Sequence, residues 1–242
     1  MTTFVLVHGA WSGGWIWRRV ADRLRAHGHR VFTPTLTGLT DRSHLLSRNI
    51  TLSTHILDIT NLVKWEELDR FVLVGHSYGG MVITGVTEKV PPGAITAIVY
   101  IDAMLPENGK SLADYAPLRR EPAPGFAIPP EADYLIPPIP ATPPRMNPKD
   151  APWMDRQRTW QPIATFTEPV HLTGALERIG SKTYVLATGF DNVNLRQFGE
   201  RVKNDPAWHY IELPCGHDVQ LAMPDETTAI LEEAAKAGMP PR

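Results

Sequence analysis

Short apolar runs alternate along the chain with segments in which apolar residues recur every three or four positions. After the first run, Trp17, Val20 and Leu24 follow helical spacing, and Gly28 can end that helix. The runs themselves are candidate strands at 4–10, 30–36, 70–76, 95–103, 182–189 and 209–213. Nearly continuous apolar strands separated by helices predict an α/β fold, with a mainly parallel sheet of about six strands and helices on both faces.

The proline-rich segment, residues 105–165, interrupts this alternation. It holds more than half of the chain's 23 prolines, which lack the N–H that helices and sheets need. It also carries aromatic and aliphatic residues, and candidate strands lie on both sides of it. We therefore expect a core formed by residues 1–104 and 166–242, with the proline-rich segment inserted as a lid over a pocket.

Charge and composition exclude several classes of partner. The formal net charge is -2, so no basic surface favours nucleic acid or an anionic membrane. No apolar run is long enough to span a bilayer, and the first residues lack the basic start of a signal peptide. The single cysteine, Cys215, cannot form an internal disulfide, which is typical of cytoplasmic proteins. A cytoplasmic protein is therefore predicted, and a homodimer stays an open alternative.

One serine stands between two glycines where a candidate strand ends. Gly75-x-Ser77-x-Gly79 directly follows the apolar residues 71–74 and precedes a segment compatible with a helix. This arrangement predicts a nucleophile elbow, in which a strained turn exposes the serine hydroxyl above the sheet edge. Side chains at the two glycine positions would collide with the neighbouring chain. The helix that follows would point its positive end at the site, which favours an anionic intermediate.

A serine hydroxyl needs a base to remove its proton, and in this motif the base comes late in the chain. Of nine histidines, His217 stands between the last candidate strand and a final helix predicted to begin at Pro224 and to end at Gly238. That loop lies at the carboxyl edge of the sheet, as Ser77 does. His8 and His76 are expected to shape the pocket floor or the turn.

A carboxylate should accept the Nδ1–H of this histidine and hold its tautomer. Asp191 is the first carboxylate after the penultimate strand and is the predicted acid. Asp102, directly after the fourth strand, is the alternative because it lies at the same edge.

The developing oxyanion needs backbone donors. One is the N–H of Tyr78, and the other should come from the loop after the first strand, with Ala10 first and Trp11 second. The substrate pocket is expected to be apolar and aromatic. Its predicted lining residues are Trp11, Met104, Tyr134, Trp153 and Trp160.

The stretches FVLVHGAWSGGWIW, PTLTGL, VLVGHSYGG and LPCGHD resemble the α/β-hydrolase superfamily, and within it the branch of plant methyl esterases, hydroxynitrile lyases and small bacterial esterases. The resemblance implies a serine esterase with no cofactor and no metal. In it Ser77, Asp191 and His217 match the triad, while Ala10 and Tyr78 match the oxyanion hole. The expected substrate is a compact hydrophobic or aromatic ester, or a lactone. The proline-rich segment departs from the largely helical cap of the plant enzymes.

Other chemistry on the same fold stays open. The plant lyases carry a threonine and a lysine where this chain has Gly9 and Asp218, and an anion at 218 would repel cyanide, so hydrolysis is preferred. A carbon–carbon bond hydrolase and a cofactor-free oxygenase can also use serine and histidine. A ligand receptor with a retained triad is the alternative from a different class.

Overall fold

The computed structural model describes residues 1–123, 126–141 and 147–238. The strands are β1 (Thr3–Val7), β2 (Arg30–Phe32), β3 (Phe71–His76), β4 (Ile95–Ile101), β5 (Leu135–Ile136), β6 (Gln161–Pro162), β7 (Lys182–Ala187) and β8 (His209–Leu213). Six of them form one sheet in the order β2-β1-β3-β4-β7-β8, and every neighbouring pair is parallel. The predicted parallel sheet of about six strands is confirmed.

Helices follow most of the strands. They are α1 (Arg18–Ala26), α2 (Leu52–Trp65), α3 (Gly79–Thr87), α4 (Ala151–Gln157), α5 (Ala164–Thr167), α6 (Val193–Val202), α7 (Val219–Ala222) and α8 (Pro224–Ala237). Gly28 follows α1 with a φ of 83°, a conformation that favours glycine. The final helix begins at Pro224, as its sequence predicts. Within the described ranges, no helix combines the length and the apolar character needed to cross a bilayer.

The sheet is buried on both faces, as its apolar strands predict. Along β1, Val5 and Val7 face a cluster that includes residues of α2 and α3. The alternate residues, Phe4 and Leu6, face the opposite cluster with residues of α1 and α8. Full burial of such a side chain stabilises the fold by about 1.5–3 kcal/mol. Helices on both faces therefore hold the strand ends in fixed positions.

The carboxyl ends of the parallel strands meet at one edge. Val7 pairs with Gly75, which in turn pairs with Tyr100, so the loops after β1, β3 and β4 leave the sheet side by side. At the far side Ala187 pairs with Leu213, which brings the loop after β8 to the same edge. Residues distant in sequence can therefore meet above this edge.

The described part of the proline-rich segment contains only short elements. β5 and β6 pair as a separate antiparallel sheet, and α4 is a short helix. Ile136 packs into one core cluster and Met154 into the other, so this segment is anchored on the sheet domain. Residues 124–125 and 142–146 of the expected lid lie outside the described residues. The division of the chain into a core and a lid stays a prediction.

Candidate active site

The backbone turns sharply at Ser77, directly after β3. Ser77 has a φ of 55°, which a non-glycine residue rarely adopts. Its N–H donates to the Ile101 carbonyl at 3.3 Å, and its own carbonyl accepts from the N–H groups of Gly80 and Met104, each at 3.0 Å. These bonds hold the strained turn in place. Because α3 begins at Gly79, the positive end of its dipole lies beside the serine.

Glycines permit close approach around this turn. A Cβ on Gly75 would lie 2.8 Å from the Gly79 carbonyl oxygen, and a Cβ on Gly79 would lie 2.8 Å from the Val7 carbonyl oxygen. The expected collision with neighbouring backbone is thus present at both positions. Gly9 has a similar role, since its Cβ would lie 2.9 Å from the Cβ of Ser77. The loop after β1 can reach the serine only without a side chain there.

A hydrogen-bonded chain joins Ser77, His217 and a carboxylate. His217 Nε2 lies 3.0 Å from Ser77 Oγ, and His217 Nδ1 lies 2.6 Å from Asp102 Oδ2. Asp102 is buried, and its other oxygen accepts from the Ala187 N–H at 3.2 Å. The Asp102 N–H donates to the Val185 carbonyl at 2.7 Å, so β7 holds both the backbone and the side chain of this aspartate.

The structure does not bring Asp191 to His217, and the expectation that Asp191 is the acid partner is wrong in this geometry. Asp191 lies in the loop between β7 and α6, its side chain is 64% exposed, and it pairs with Arg196. The loop carries the carboxylate outward into solvent. Asp102, the alternative, occupies the acid position because its backbone leaves β4 directly beneath His217.

The two residues predicted to donate to the oxyanion, Ala10 and Tyr78, line the same cavity as Ser77. Among the hydrogen bonds of the described residues, neither the Ala10 N–H nor the Tyr78 N–H has a protein acceptor. Trp11, the second candidate, is different: its N–H donates to the side-chain oxygen of Gln161 at 2.8 Å. That donor is therefore engaged, which leaves Ala10 as the available donor of the β1 loop.

An apolar cavity of about 180 Å³ opens beside Ser77 and His217. Trp11 and Met104, two of the residues expected to line the substrate pocket, lie in its wall. The proline-rich segment and α5 contribute most of the other apolar contacts, among them Ile136, Ile139 and Phe166. Sequence reasoning missed Phe166, although its position in an apolar stretch just after the prolines gave a signal. A polar rim is formed by Arg119, Asn192 and Asn194.

Three predicted pocket residues lie elsewhere. The Tyr134 ring stacks against the Arg48 guanidinium at 4.5 Å. Trp153 makes an edge contact with Trp15 in the opposite core cluster, and Trp160 donates its Nε1–H to a backbone carbonyl of the proline-rich segment. None of the three lines the cavity beside Ser77, because without a helical or strand period the sequence did not show which way their side chains point.

Two buried histidines support the site in the neutral form. His8 Nδ1 donates to the Gly9 carbonyl at 2.7 Å, and its Nε2 accepts from the Leu36 N–H at 3.0 Å, while its role in the pocket floor stays a prediction. His55 Nε2 donates to the Thr37 carbonyl, so its Nδ1 accepts from the Tyr78 hydroxyl at 2.9 Å. Burial lowers the pKa of each imidazole to about 4, because a charged ring would lose its hydration.

Comparison with known proteins shows to which family the chain belongs. The alpha/beta hydrolase family model matches residues 4–230. The chain belongs to this family. A carbendazim hydrolyzing esterase of Nocardioides sp. (strain SG-4G) is 41% identical over an alignment of 242 positions, which covers 93% of this chain and 96% of that protein. With an esterase matched over nearly its whole length, the activity class of this α/β-hydrolase is ester hydrolysis.

Two further relatives extend the comparison. Salicylic acid-binding protein 2 of Nicotiana tabacum is 36% identical over 106 residues, and the match covers only 43% of this chain and 40% of that protein. An extracellular alpha/beta-hydrolase from a Paenibacillus species matches 99% of this chain and all of its own chain, with a TM-score of 0.76 at 25% identity. Because that relative is extracellular, the cytoplasmic location expected for this α/β-hydrolase stays a prediction.

A buried charged pair of this α/β-hydrolase lies beside the hydrogen-bonded chain of Ser77, His217 and Asp102. Asp218 follows His217 and is 3% exposed, and its Oδ2 lies 3.9 Å from the guanidinium of the equally buried Arg158. Arg158, Asp218, Ser77 and the buried Ser12 line a second, very small cavity. The guanidinium offsets the negative charge of Asp218, so this carboxylate alone does not separate hydrolysis from lyase chemistry.

The single thiol near the histidine is not arranged for catalysis. Burial raises the pKa of Cys215 to about 12, so the thiol stays protonated and poorly nucleophilic at neutral pH. Within residues 1–123, 126–141 and 147–238, no cluster of three or more histidine, cysteine or acidic side chains is arranged to hold a metal ion.

Proposed function

We propose that the protein is a serine carboxylic-ester hydrolase that works through an acyl-enzyme on Ser77. The observation that carries the proposal is the continuous chain of hydrogen-bond contacts from Ser77 Oγ through His217 to Asp102, at 3.0 and 2.6 Å. In this mechanism Asp102 holds the imidazole with Nε2 toward the serine and stabilises the imidazolium. Ala10 and Tyr78 donate their N–H groups to the oxyanion.

The chemistry proceeds in two half-reactions. Ser77 Oγ attacks the ester carbonyl carbon while His217 Nε2 takes its proton. The bond to the alcohol oxygen breaks as His217 returns that proton to the leaving alcohol, and the acyl group stays on Ser77. A water molecule then attacks the acyl carbon, His217 takes its proton, and the acid leaves as the proton returns to Ser77 Oγ.

The substrate in this proposal is a compact hydrophobic or aromatic ester, or a lactone. A cavity of about 180 Å³ with Trp11, Ile136 and Phe166 in its wall suits one ring or a short chain. Carbendazim belongs among the first compounds to assay, because the 41% identical relative hydrolyses it by name.

The proposal is tested with the protein and its Ser77→Ala variant, a chromogenic acetate ester and a serine-reactive phosphonate. We expect the variant to lose more than about 10⁴-fold in turnover. Mass spectrometry should find one phosphonate adduct on Ser77 in the protein and none in the variant. Unchanged turnover in Ser77→Ala would disprove the serine mechanism.

The similarity to a salicylic acid-binding protein favours a second candidate, a ligand receptor that retains the triad. A receptor would form the phosphonate adduct yet turn esters over slowly and hold the aromatic acid tightly. Isothermal titration with salicylate and with benzoate, beside multiple-turnover kinetics, separates the two candidates. Fast turnover with weak product binding excludes the receptor.

A further inference from the structure

The backbone of Trp11, next to the proposed oxyanion donor Ala10, is held by the proline-rich segment. The Trp11 N–H donates to Gln161 Oε1 at 2.8 Å, and the Trp11 carbonyl accepts from the Thr159 N–H at 3.1 Å. Trp11 has a φ of 60°, which is costly for a bulky residue without support. Contacts from the 159–161 stretch therefore hold a strained residue of the β1 loop.

The carboxamide of Gln161 has a fixed orientation. Gln161 is fully buried, and its Nε2 donates to Thr165 Oγ1 at 2.8 Å. The Thr165 hydroxyl donates its own proton to the Pro162 carbonyl at 2.7 Å. It therefore acts as the acceptor in its hydrogen bond with Gln161. The carboxamide oxygen must then face Trp11, and the amide cannot flip without breaking both contacts.

Fixing the Trp11 N–H fixes the peptide plane between Ala10 and Trp11, because that N–H and the Ala10 carbonyl lie in one rigid unit. The plane in turn restricts the rotation of Ala10, which lines the same cavity as Ser77. If the Ala10 N–H moved away from the position of the oxyanion, it would lose much of its stabilising effect on the transition state.

We propose that Gln161 is a positioning residue for the oxyanion hole: its side chain engages the Trp11 N–H and so aims the Ala10 N–H at the reacting carbonyl. This inference rests on the proposed serine esterase mechanism and adds a residue to it. It also gives the proline-rich segment a part in catalysis besides covering the pocket.

The test compares Gln161→Met, which removes the acceptor at similar length, with Gln161→Glu, which keeps an oxygen at the same place. We expect Gln161→Met to lower kcat by about 10–100-fold with KM within about twofold, a fraction of the cost of losing one oxyanion donor. Gln161→Glu should recover most of kcat, because burial favours the protonated carboxyl group, whose O–H can replace the amide as donor to Thr165 while its carbonyl oxygen still accepts from Trp11.

A matched control is Asp155→Ala. Asp155 also accepts a backbone N–H within the proline-rich segment, that of Ala141 at 2.8 Å, and among the described residues it makes no hydrogen bond to the β1 loop. We expect this control to lower the unfolding temperature about as much as Gln161→Met while kcat stays within about twofold.

A boronic acid that forms a tetrahedral adduct on the serine supplies a readout that folding alone would not change. Its inhibition constant should rise in Gln161→Met in proportion to the fall in kcat, and recover in Gln161→Glu. An unchanged kcat in Gln161→Met, an equal loss in Asp155→Ala, or no recovery in Gln161→Glu would each overturn the proposal. Failure of the esterase mechanism itself is seen separately, as activity that persists in Ser77→Ala.

Discussion

Replacing each of two aspartates by asparagine tests which carboxylate supports the histidine. Asp102→Asn keeps the shape of the side chain but removes the charge that faces His217 Nδ1 at 2.6 Å. Its Oδ1 can still accept from the Ala187 N–H, so the local backbone contact survives. Asp191→Asn makes the same chemical change on an exposed loop. We expect a large loss of kcat for the first variant and almost none for the second.

The magnitude follows from charge and burial. His217 becomes an imidazolium as the serine loses its proton, and the Asp102 carboxylate is its buried partner. Two unit charges about 4 Å apart attract by roughly 4 kcal/mol at an effective dielectric constant near 20. Loss of the correct tautomer adds to this, and about 10⁴-fold in kcat corresponds to roughly 5.5 kcal/mol. At 64% exposure Asp191 is screened by water, and its replacement should change kcat by less than about twofold.

The assay is kcat and KM for a chromogenic acetate ester, with thermal unfolding measured on the same samples. A folded Asp102→Asn protein with nearly full kcat would refute the reasoning, and so would a loss in Asp191→Asn as large as in Asp102→Asn. The second result would mean that the loop after β7 turns inward when the enzyme works.

Three further predictions concern the surroundings of the proposed triad. Gly9→Ala should lose most of its activity and about 1–3 kcal/mol of stability, measured by urea unfolding, because the new Cβ would lie 2.9 Å from the Cβ of Ser77. Full activity in this variant would contradict the close approach of the β1 loop to the serine. His8 and His55 have pKa values of about 4 in the folded protein, below the value near 6.5 in the unfolded chain. The free energy of unfolding should therefore be at its maximum above pH 6.5 and fall by up to roughly 3 kcal/mol for each histidine as the pH drops to 4. A urea midpoint that does not change over this pH range would contradict the prediction. Cys215→Ala should keep kcat within about twofold, and iodoacetamide should label the thiol slowly at pH 8, since a pKa of about 12 leaves little thiolate; rapid labelling with inactivation would refute this.

The order of elements along the chain was enough to predict which serine and which histidine the structure brings together. The apolar runs are continuous because both faces of the sheet are covered, and their alternation with helices gave the parallel arrangement. Ser77 could be found because only glycines fit two residues on either side of it. His217 could be found because the last loop at the carboxyl edge must reach the serine. The pocket wall could not be found in the same way, since the prolines leave no period from which to read the direction of Tyr134 or Trp160.

The order of elements along the chain does not decide between Asp102 and Asp191 as the carboxylate partner of His217. In the strand order β3-β4-β7-β8, a histidine after β8 crosses above β7 and β4 to reach Ser77, so a carboxylate on either strand satisfies the order serine, acid, histidine. The deciding feature is local. Asp102 stands immediately after an apolar strand in VYIDAML, where the neighbouring β7 backbone holds it, whereas Asp191 follows the turn residues of ATGFDNVN. A carboxylate flanked by core residues must be buried and paired, and a buried partner in this place is the histidine.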